Sequence, residues 1–380
     1  MREEPTMSVS ATATAAPPGE RALHRQQVAL AKAHSAQSKA KAKDAELYLV
    51  HKFPGRTNRC NPFAEKPRDA PEMIAARHGV VELTCVGRWG NRLGEYILAR
   101  IIAEGLNFGL RTCPELADQL AKEGHILPNA VGLDYNQTAM AALPREVYKG
   151  HRYPVHDMLR DATPRRIALG GYPFEDYTPF REYRWHIRER WFAVNTSCID
   201  EFHVNRPGPH DVVVHVRAYK GCGANAVGKV SEQFVDLTVE YYSRILDTMR
   251  EQEVWDTLWV ACHCAANHPT VAALAARYGA RVAPMMDYWH EMGDWLFLRA
   301  ATRLVMSQST FSWWAAYLGD AREVHYPLVG DWWAGKQPRH QLWPDDDARY
   351  VFHDVINGRY FLRYEDLGPP AQSASDPKSG

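Results

Sequence analysis

From residue 207 onward, short unbroken apolar blocks alternate with longer stretches in which apolar residues recur at helical spacing. Asp211-Val212-Val213-Val214-His215-Val216-Arg217 leaves a Pro/Gly turn and reads as a buried strand. A helix over Val235–Arg250, a strand over Thr257–Cys262 and a helix over Pro269–Tyr278 follow. The pattern then predicts a strand at Arg281–Pro284, a helix at Asp294–Arg303 and a strand at Leu304–Met306. A helix over Thr310–Leu318 and a strand over Glu323–Tyr326 end the series.

The first half carries the same alternation less regularly. Val80–Val86 reads as a buried strand, and Gly90–Asn107 as a helix with Leu93, Ile97, Ile101 and Leu106 on its apolar face. Pro114 opens a second helix through Leu120, stopped near Gly124. The stretch from 125 to about 175, rich in Pro, Tyr and Arg, reads as irregular. A helix carrying Arg181, Arg184, Arg188 and Arg190 is predicted over Tyr177–Phe192.

Strands alternating with helices imply parallel sheets joined by right-handed crossovers. The expected fold is therefore α/β, with two doubly wound domains facing across a cleft, residues 46–205 and 206–368. Residues 1–45, with Ala15-Ala16-Pro17-Pro18-Gly19 and Ala-Lys alternation, and the Pro/Ser/Gly-rich residues 369–380 read as disordered tails.

Composition changes this picture little. The chain has 380 residues, 46% hydrophobic, which is enough for two cores. Lys+Arg and Asp+Glu stand at 45 each, so no basic nucleic-acid surface is indicated. No apolar run approaches the roughly 20 residues that cross a bilayer. Met1-Arg2-Glu3-Glu4 opens no signal peptide, so the default expectation is cytoplasmic. The 7 cysteines are irregularly spaced and fit free thiols in a reducing compartment better than a disulfide scaffold. Cys262-His263-Cys264 with His268 suggests zinc, but the two sulfurs lie on one face of a strand at an unusual spacing, so buried cysteines are expected instead and no metal site is assigned.

Three segments stand at the ends of predicted strands, where ligands bind in such sheets. Gly87-Arg88-Trp89-Gly90-Asn91-Arg92-Leu93-Gly94-Glu95-Tyr96 is a glycine turn into a helix, out of register with the dinucleotide fingerprint. Gly90 allows close backbone approach and Asn91 offers an amide. His215-Val216-Arg217 places His215 and Arg217 on one side, and Arg217 suits bidentate diphosphate binding. The ordinary alternatives are a core histidine and a surface ion pair. Lys220, in the loop that follows, adds a cation.

Ser309-Thr310-Phe311-Ser312-Trp313-Trp314-Ala315-Ala316-Tyr317-Leu318 turns from a strand into an aromatic helix. Its hydroxyls and unpaired first-turn N–H groups form an anion cradle, or equally a capped helix whose tryptophans pack in a core. Asp294 is either a first-turn acid or an acceptor for the two N–H groups of a guanine edge.

Together these segments resemble the alpha-1,2-fucosyltransferase family of inverting glycosyltransferases (family 11-like), and more distantly the alpha-1,6- and protein O-fucosyltransferases. The family's Gly-x-x-Gly-Asn-Gln, His-x-Arg-Arg-Gly-Asp and Ser-Thr-Phe-Ser-Trp-Trp-Ala-Ala-Trp-Leu stand here, in that order, as residues 87–92, 215–220 and 309–318. The resemblance spans roughly residues 80 to 330. The second arginine and the Gly-Asp are replaced by Ala218, Tyr219 and Lys220, and the relatives' Ser-Asp-Asp strand end by Cys262-His263-Cys264.

The resemblance implies a GT-B fold whose C-terminal domain holds the nucleotide sugar. It implies transfer of fucose from GDP-fucose to a glycan hydroxyl, with galactoside alpha-1,2 linkage expected. The only small molecule needed is the donor substrate: no cofactor, no metal. Arg217 and the helix start at Ser309, Thr310 and Phe311 would neutralise the departing GDP, Asp294 would take the guanine edge, and Gly90, Asn91 and His215 would line the donor site. Glu95 is a base by position or simply a helix-face acid. Asp345-Asp346-Asp347 reads as a solvated turn. Expected partners are a nucleotide-sugar donor and a glycan acceptor, with no nucleic acid. The alternatives are a related GT-B transferase with another donor or a protein acceptor, and a non-catalytic relative that binds GDP or a glycan; a dinucleotide oxidoreductase is a distant third.

Overall fold

The computed structural model describes residues 71–84, 87, 89–112, 133–150, 153–171, 177–193, 206–221, 234–264, 267–283, 291–332 and 342–367. All of them fall in one compact unit, Arg56–Gly380. Both tails, the helix expected from Pro114 and the domain boundary near residue 205 lie outside the described residues.

Two sheets organise the chain. The smaller has the order β2-β1-β4-β3, formed by β1 (Val80–Leu83), β2 (Gly109–Arg111), β3 (Arg145–Lys149) and β4 (Arg166–Gly170), all parallel. The larger has the order β11-β10-β9-β8-β5-β6-β7. Its members are β5 (Val212–His215), β6 (Leu258–Ala261), β7 (Arg281–Val282), β8 (Arg303–Val305), β9 (Glu323–Leu328), β10 (Tyr350–Asp354) and β11 (Arg359–Leu362). Among the described residues only β10 and β11 pair antiparallel. The α/β class with parallel sheets therefore stands.

The strand orders matter for function. In the larger sheet the chain runs from β5 outward through β6 to β7, then crosses back to β8 on the other side of β5. The smaller sheet likewise reverses between β1 and β4. Such a reversal leaves a crevice at the carboxyl ends of the strands, because the connections depart to opposite faces.

Residues 125 to 175 correct the expectation of an irregular stretch. They hold β3, β4 and the short helices Gln137–Ala141 and Val155–Arg160. β3 escapes notice because it is an edge strand with exposed Arg145, Val147 and Lys149, so it lacks a buried period. β10 and β11 were also not expected, and Tyr177–Phe192 is two pieces, Thr178–Glu182 and a π-helical turn at His186–Trp191.

The core follows from the apolar helices. Helix Trp89–Leu106 is buried on nearly every side. Its buried Arg100 is tolerated because it binds Glu104 at 2.8 Å and Tyr96 at 3.1 Å and lies over the Trp191 ring. Helix Thr310–Leu318 packs against helices Trp89–Leu106 and Glu291–Arg299 in the same core. Trp313, Trp314 and Tyr317 have no exposure; Trp313 stacks on Tyr317 at 5.0 Å and Trp314 meets Phe180 edge-on at 5.0 Å. The tryptophans thus serve packing.

The carboxyl end of this helix is closed by guanidiniums. Arg299 donates to Leu318 O at 3.0 Å, while Arg188 and Arg349 donate to Gly319 O at 3.1 and 2.8 Å. Asp347 holds Arg349 and also pairs with Arg184, Arg181 pairs with Asp345, and Tyr177 donates to Asp346. The Asp345–Asp347 run is therefore a partnered knot, in place of the solvated turn expected. Among the described residues no helix is long and apolar enough to cross a membrane.

Candidate functional site

The three strand-end segments stand at the two reversal points. β1 leads to Gly90 and Asn91, β5 to His215 and Arg217, and β8 to Ser307–Phe311.

β5 is central, with Val212 and Val214 packed on one face and Val213 on the other. Pairing continues past its end, since Val216 N donates to Ala261 O at 2.9 Å. His215 is buried, with its Nδ1 2.7 Å from Ser307 Oγ and its ring 5.7 Å from that of Phe311. Tyr242 donates to its carbonyl at 3.0 Å. Burial, then the Arg217 and His263 charges, push its pKa down to about 3. His215 is thus a neutral hydrogen-bonding group that ties β5 to the segment after β8.

Arg217 is half-buried, with its Cζ 5.2 Å above the Tyr219 ring. It forms no ion pair among the described residues. A guanidinium held by an aromatic ring, with no carboxylate on it, keeps its fork available for an anion.

The loop beyond Arg217 is pinned by buried polar groups that the sequence reading did not single out. Asp236 accepts from Tyr219 N at 2.6 Å and from Lys220 N at 3.4 Å. Gln308 accepts from the Tyr219 hydroxyl through its carbonyl, and from Val235 N through Oε1 at 3.0 Å. Burial pushes the Tyr219 phenol up to about 12, so it stays a neutral donor. Position alone signalled these residues: Gln308 lies between a strand and a capped helix, and Tyr219 stands where the resemblance breaks.

At the start of helix Thr310–Leu318, Ser309 has extended backbone and its Oγ accepts from Phe311 N at 3.3 Å. Thr310 Oγ1 donates to Asn91 Oδ1 at 2.7 Å. A Cβ on Gly90 would lie 2.5 Å from Phe311 N, so only glycine permits this approach. The amino ends of helices Trp89–Leu106 and Thr310–Leu318 therefore converge, adding their positive dipole ends. The two hydroxyls of the expected cradle are engaged within the protein. Polar capacity left at this junction lies in the Asn91 amide nitrogen and first-turn peptide N–H groups.

His215, Gly90, Asn91, Ser309, Thr310 and Phe311 thus come together, and among the described residues Arg217 is tied to them only through Tyr219, whose hydroxyl binds Gln308. Asp294 sits half-buried in the neighbouring helix Glu291–Arg299, which packs against Thr310–Leu318. Glu95 is buried, at 1% exposure, and is no solvated helix-face acid.

The cysteines after β6 depart from the all-thiol expectation. Cys262 is a buried thiol outside any disulfide, whereas Cys264 is disulfide-bonded. The ligand atoms of Cys262, His263 and Cys264 lie within 4.8 Å of one another. A sulfur already in a disulfide is not the thiolate a metal requires, so this trio does not fit an ion.

No family model matches the chain, and no curated protein matches it. Among solved structures, it is similar to a variant of Arabidopsis thaliana FUT1 in complex with GDP at 11% identity, covering 67% of this chain and 72% of that one, with a TM-score of 0.40. It is also similar to POFUT1 in complex with GDP, at 12% identity, 64% and 95% coverage and a TM-score of 0.37. A POFUT1 complex with GDP-fucose matches at 14% identity, 64% and 94% coverage and a TM-score of 0.33. These likenesses assign this chain neither donor nor acceptor, which must be argued from its own residues.

Proposed function

We propose that this chain is an inverting glycosyltransferase of GT-B type that moves L-fucose from GDP-fucose to a glycan hydroxyl, a galactoside in alpha-1,2 linkage being the first acceptor to test. The observation that carries the reading is Arg217, a guanidinium without a carboxylate partner among the described residues, held at the tip of β5 at a sheet reversal. The Ser309–Leu318 motif and the two converging helix ends beside it support a dianionic ligand.

In this reading the bond from sugar C1 to the β-phosphate oxygen breaks, with its electron pair leaving on GDP. The acceptor oxygen forms the new bond to C1 from the opposite face, and its proton passes to solvent or a base. Arg217 neutralises charge growing on the diphosphate, a stabilisation greatest in the transition state. Asn91 and backbone N–H groups orient the phosphates, His215 fixes the strand end, and Asp294 takes the guanine edge. Because cationic groups of the protein offset the charge, chelation of divalent ions is expected to leave turnover unchanged.

The test is calorimetric titration with GDP and GDP-fucose, followed by transfer to a galactoside panel read by mass spectrometry. Binding of another nucleotide sugar in preference to GDP-fucose would overturn the donor assignment. A second reading, a GDP-binding protein without turnover, draws on Ala218 and Tyr219, which stand where the resembled family carries Arg and Gly. GDP binding with no transfer over the whole panel would favour it.

A further inference from the structure

Two residues of β11, Tyr360 and Phe361, stand opposite the single His353 of β10, because the register passes from Phe352–Leu362 to Asp354–Arg359. Phe361 takes φ 60° in this bulge, the left-handed region that an aromatic residue disfavours. It is held there by a ring nitrogen. Phe361 N donates to His353 Nδ1 at 3.4 Å, and the two rings meet edge-on at 5.1 Å. His353 and His325 are both buried, with His353 Nε2 2.8 Å from His325 Nδ1, and His325 Nε2 lies 2.6 Å from Glu323 Oε1. The two ends of this chain fix the protons within it. A peptide N–H can only donate, so His353 Nδ1 accepts; a carboxylate can only accept, so His325 Nε2 donates. With both rings neutral, His353 Nε2–H then donates to His325 Nδ1.

We propose that the His325–His353 pair is a proton-operated latch on β11, which frees the bulge at Phe361 when one proton enters the pair. A proton added at His353 Nδ1 lets the Nε2 proton pass to His325 Nδ1, and the positive charge then rests beside the Glu323 carboxylate. The other end bears the cost, since His353 Nδ1–H now faces Phe361 N–H, donor against donor. Burial, then the His325 charge, hold His353 well below the ordinary histidine range, so the latch is closed at neutral pH and opens in acid. The hydrogen bond from His325 keeps the Glu323 carboxyl low, and Asp354, against burial, is held low by Asn357 and Arg359. The turn before β11 therefore stays tied while the bulge opens. Around the pair, Arg303 and Arg322 stand beyond Glu323. Helix Val239–Gln252 brings the Tyr241 ring against His353 and Arg244 over the Tyr360 ring, and the turn brings Asp354 paired with Arg359. The inference is independent of the proposed activity.

The experiment is hydrogen-exchange mass spectrometry on the full chain from about pH 7.5 to 4.5, a range spanning the ordinary histidine transition. Rates are corrected for intrinsic exchange, and wild type is compared with Glu323→Gln and His353→Phe. In wild type, protection of β11 should fall about tenfold across the range, the equivalent of one hydrogen bond, while that of β6 changes less. Glu323→Gln keeps an acceptor for His325 but removes the charge that stabilises the added proton, so the midpoint should move down by about one pH unit. His353→Phe keeps a ring without a nitrogen and should show the open level of β11 protection at every pH. Protection of β11 that is constant with pH in wild type overturns the inference, as does an unmoved midpoint in Glu323→Gln. A loss in β6 that keeps step with β11 also overturns it, because the acid response would then be global unfolding. If His353→Phe does not fold, the wild-type and Glu323→Gln profiles decide the question alone.

Discussion

The two ends of helix Thr310–Leu318 are built on opposite principles. At the carboxyl end, Arg188, Arg299 and Arg349 converge on the Leu318 and Gly319 carbonyls, and charged groups of the surrounding chain pair with one another. At the amino end, a glycine backbone and a hydroxyl–amide bond meet, and on β5, the strand paired with β8, Arg217 stands without a carboxylate partner among the described residues. The first end is saturated by the protein itself. The second leaves polar groups without protein partners among the described residues, as the proposed ligand site requires.

Substitutions at the two ends should therefore separate function from stability. Arg217→Ala should lower GDP-fucose turnover by about three orders of magnitude, roughly 4 kcal/mol, with the thermal midpoint nearly unchanged. A midpoint that falls in step with activity would assign Arg217 to the scaffold. Gly90→Val forces a Cβ into Phe311 N and should cost about 3 kcal/mol in denaturant unfolding while also weakening GDP binding. Unchanged stability would refute the close approach.

Arg349→Met at the other end should cost about 2 kcal/mol, because it leaves Asp347 and two carbonyls short of donors. The GDP affinity of the folded fraction should not move, and a loss there would erase the contrast. Thr310→Val removes one half-buried bond to Asn91 and should cost about 1 kcal/mol, visible as a midpoint shift.

The pH dependence that His215 contributes is absent at neutral pH and appears only in acid. Its pKa falls from 6.5 to about 3 on folding, so the unfolded chain binds the proton first as pH drops. Stability is full above pH 6.5 and is lost between there and about pH 3. His215→Asn should flatten that slope only partly in acid titrations, since burial and His325 also hold His353 low. An unaltered slope would show that His215 takes up its proton without unfolding.

Much of the larger sheet was legible because β5, β6 and β8 are buried on both faces and stand out as apolar blocks between helices. β3 was not, because an exposed edge strand carries Arg145 and Lys149 with no periodic burial. The site was legible where backbone chemistry dictates residue type, as at Gly90 and Ser309. Gln308 and Asp236 carried no such mark: a buried amide or carboxylate earns its place from partners far along the chain, and only the fold supplies them. The hydroxyl residues Ser309 and Thr310 read correctly as a helix start, yet spacing could not reveal that Asn91 already occupies one of them.

The closed end of the helix also bears on the order of folding. Gly319 has φ −88°, outside the left-handed turn by which many helices satisfy their own last carbonyls. Those carbonyls wait instead for Arg188, 131 positions away, and Arg349, 30 positions away. Such contacts form after the local ones, once distant segments have docked. Arg188 and Arg349 should therefore have little influence on how fast the chain folds and a large one on how long the folded protein lasts.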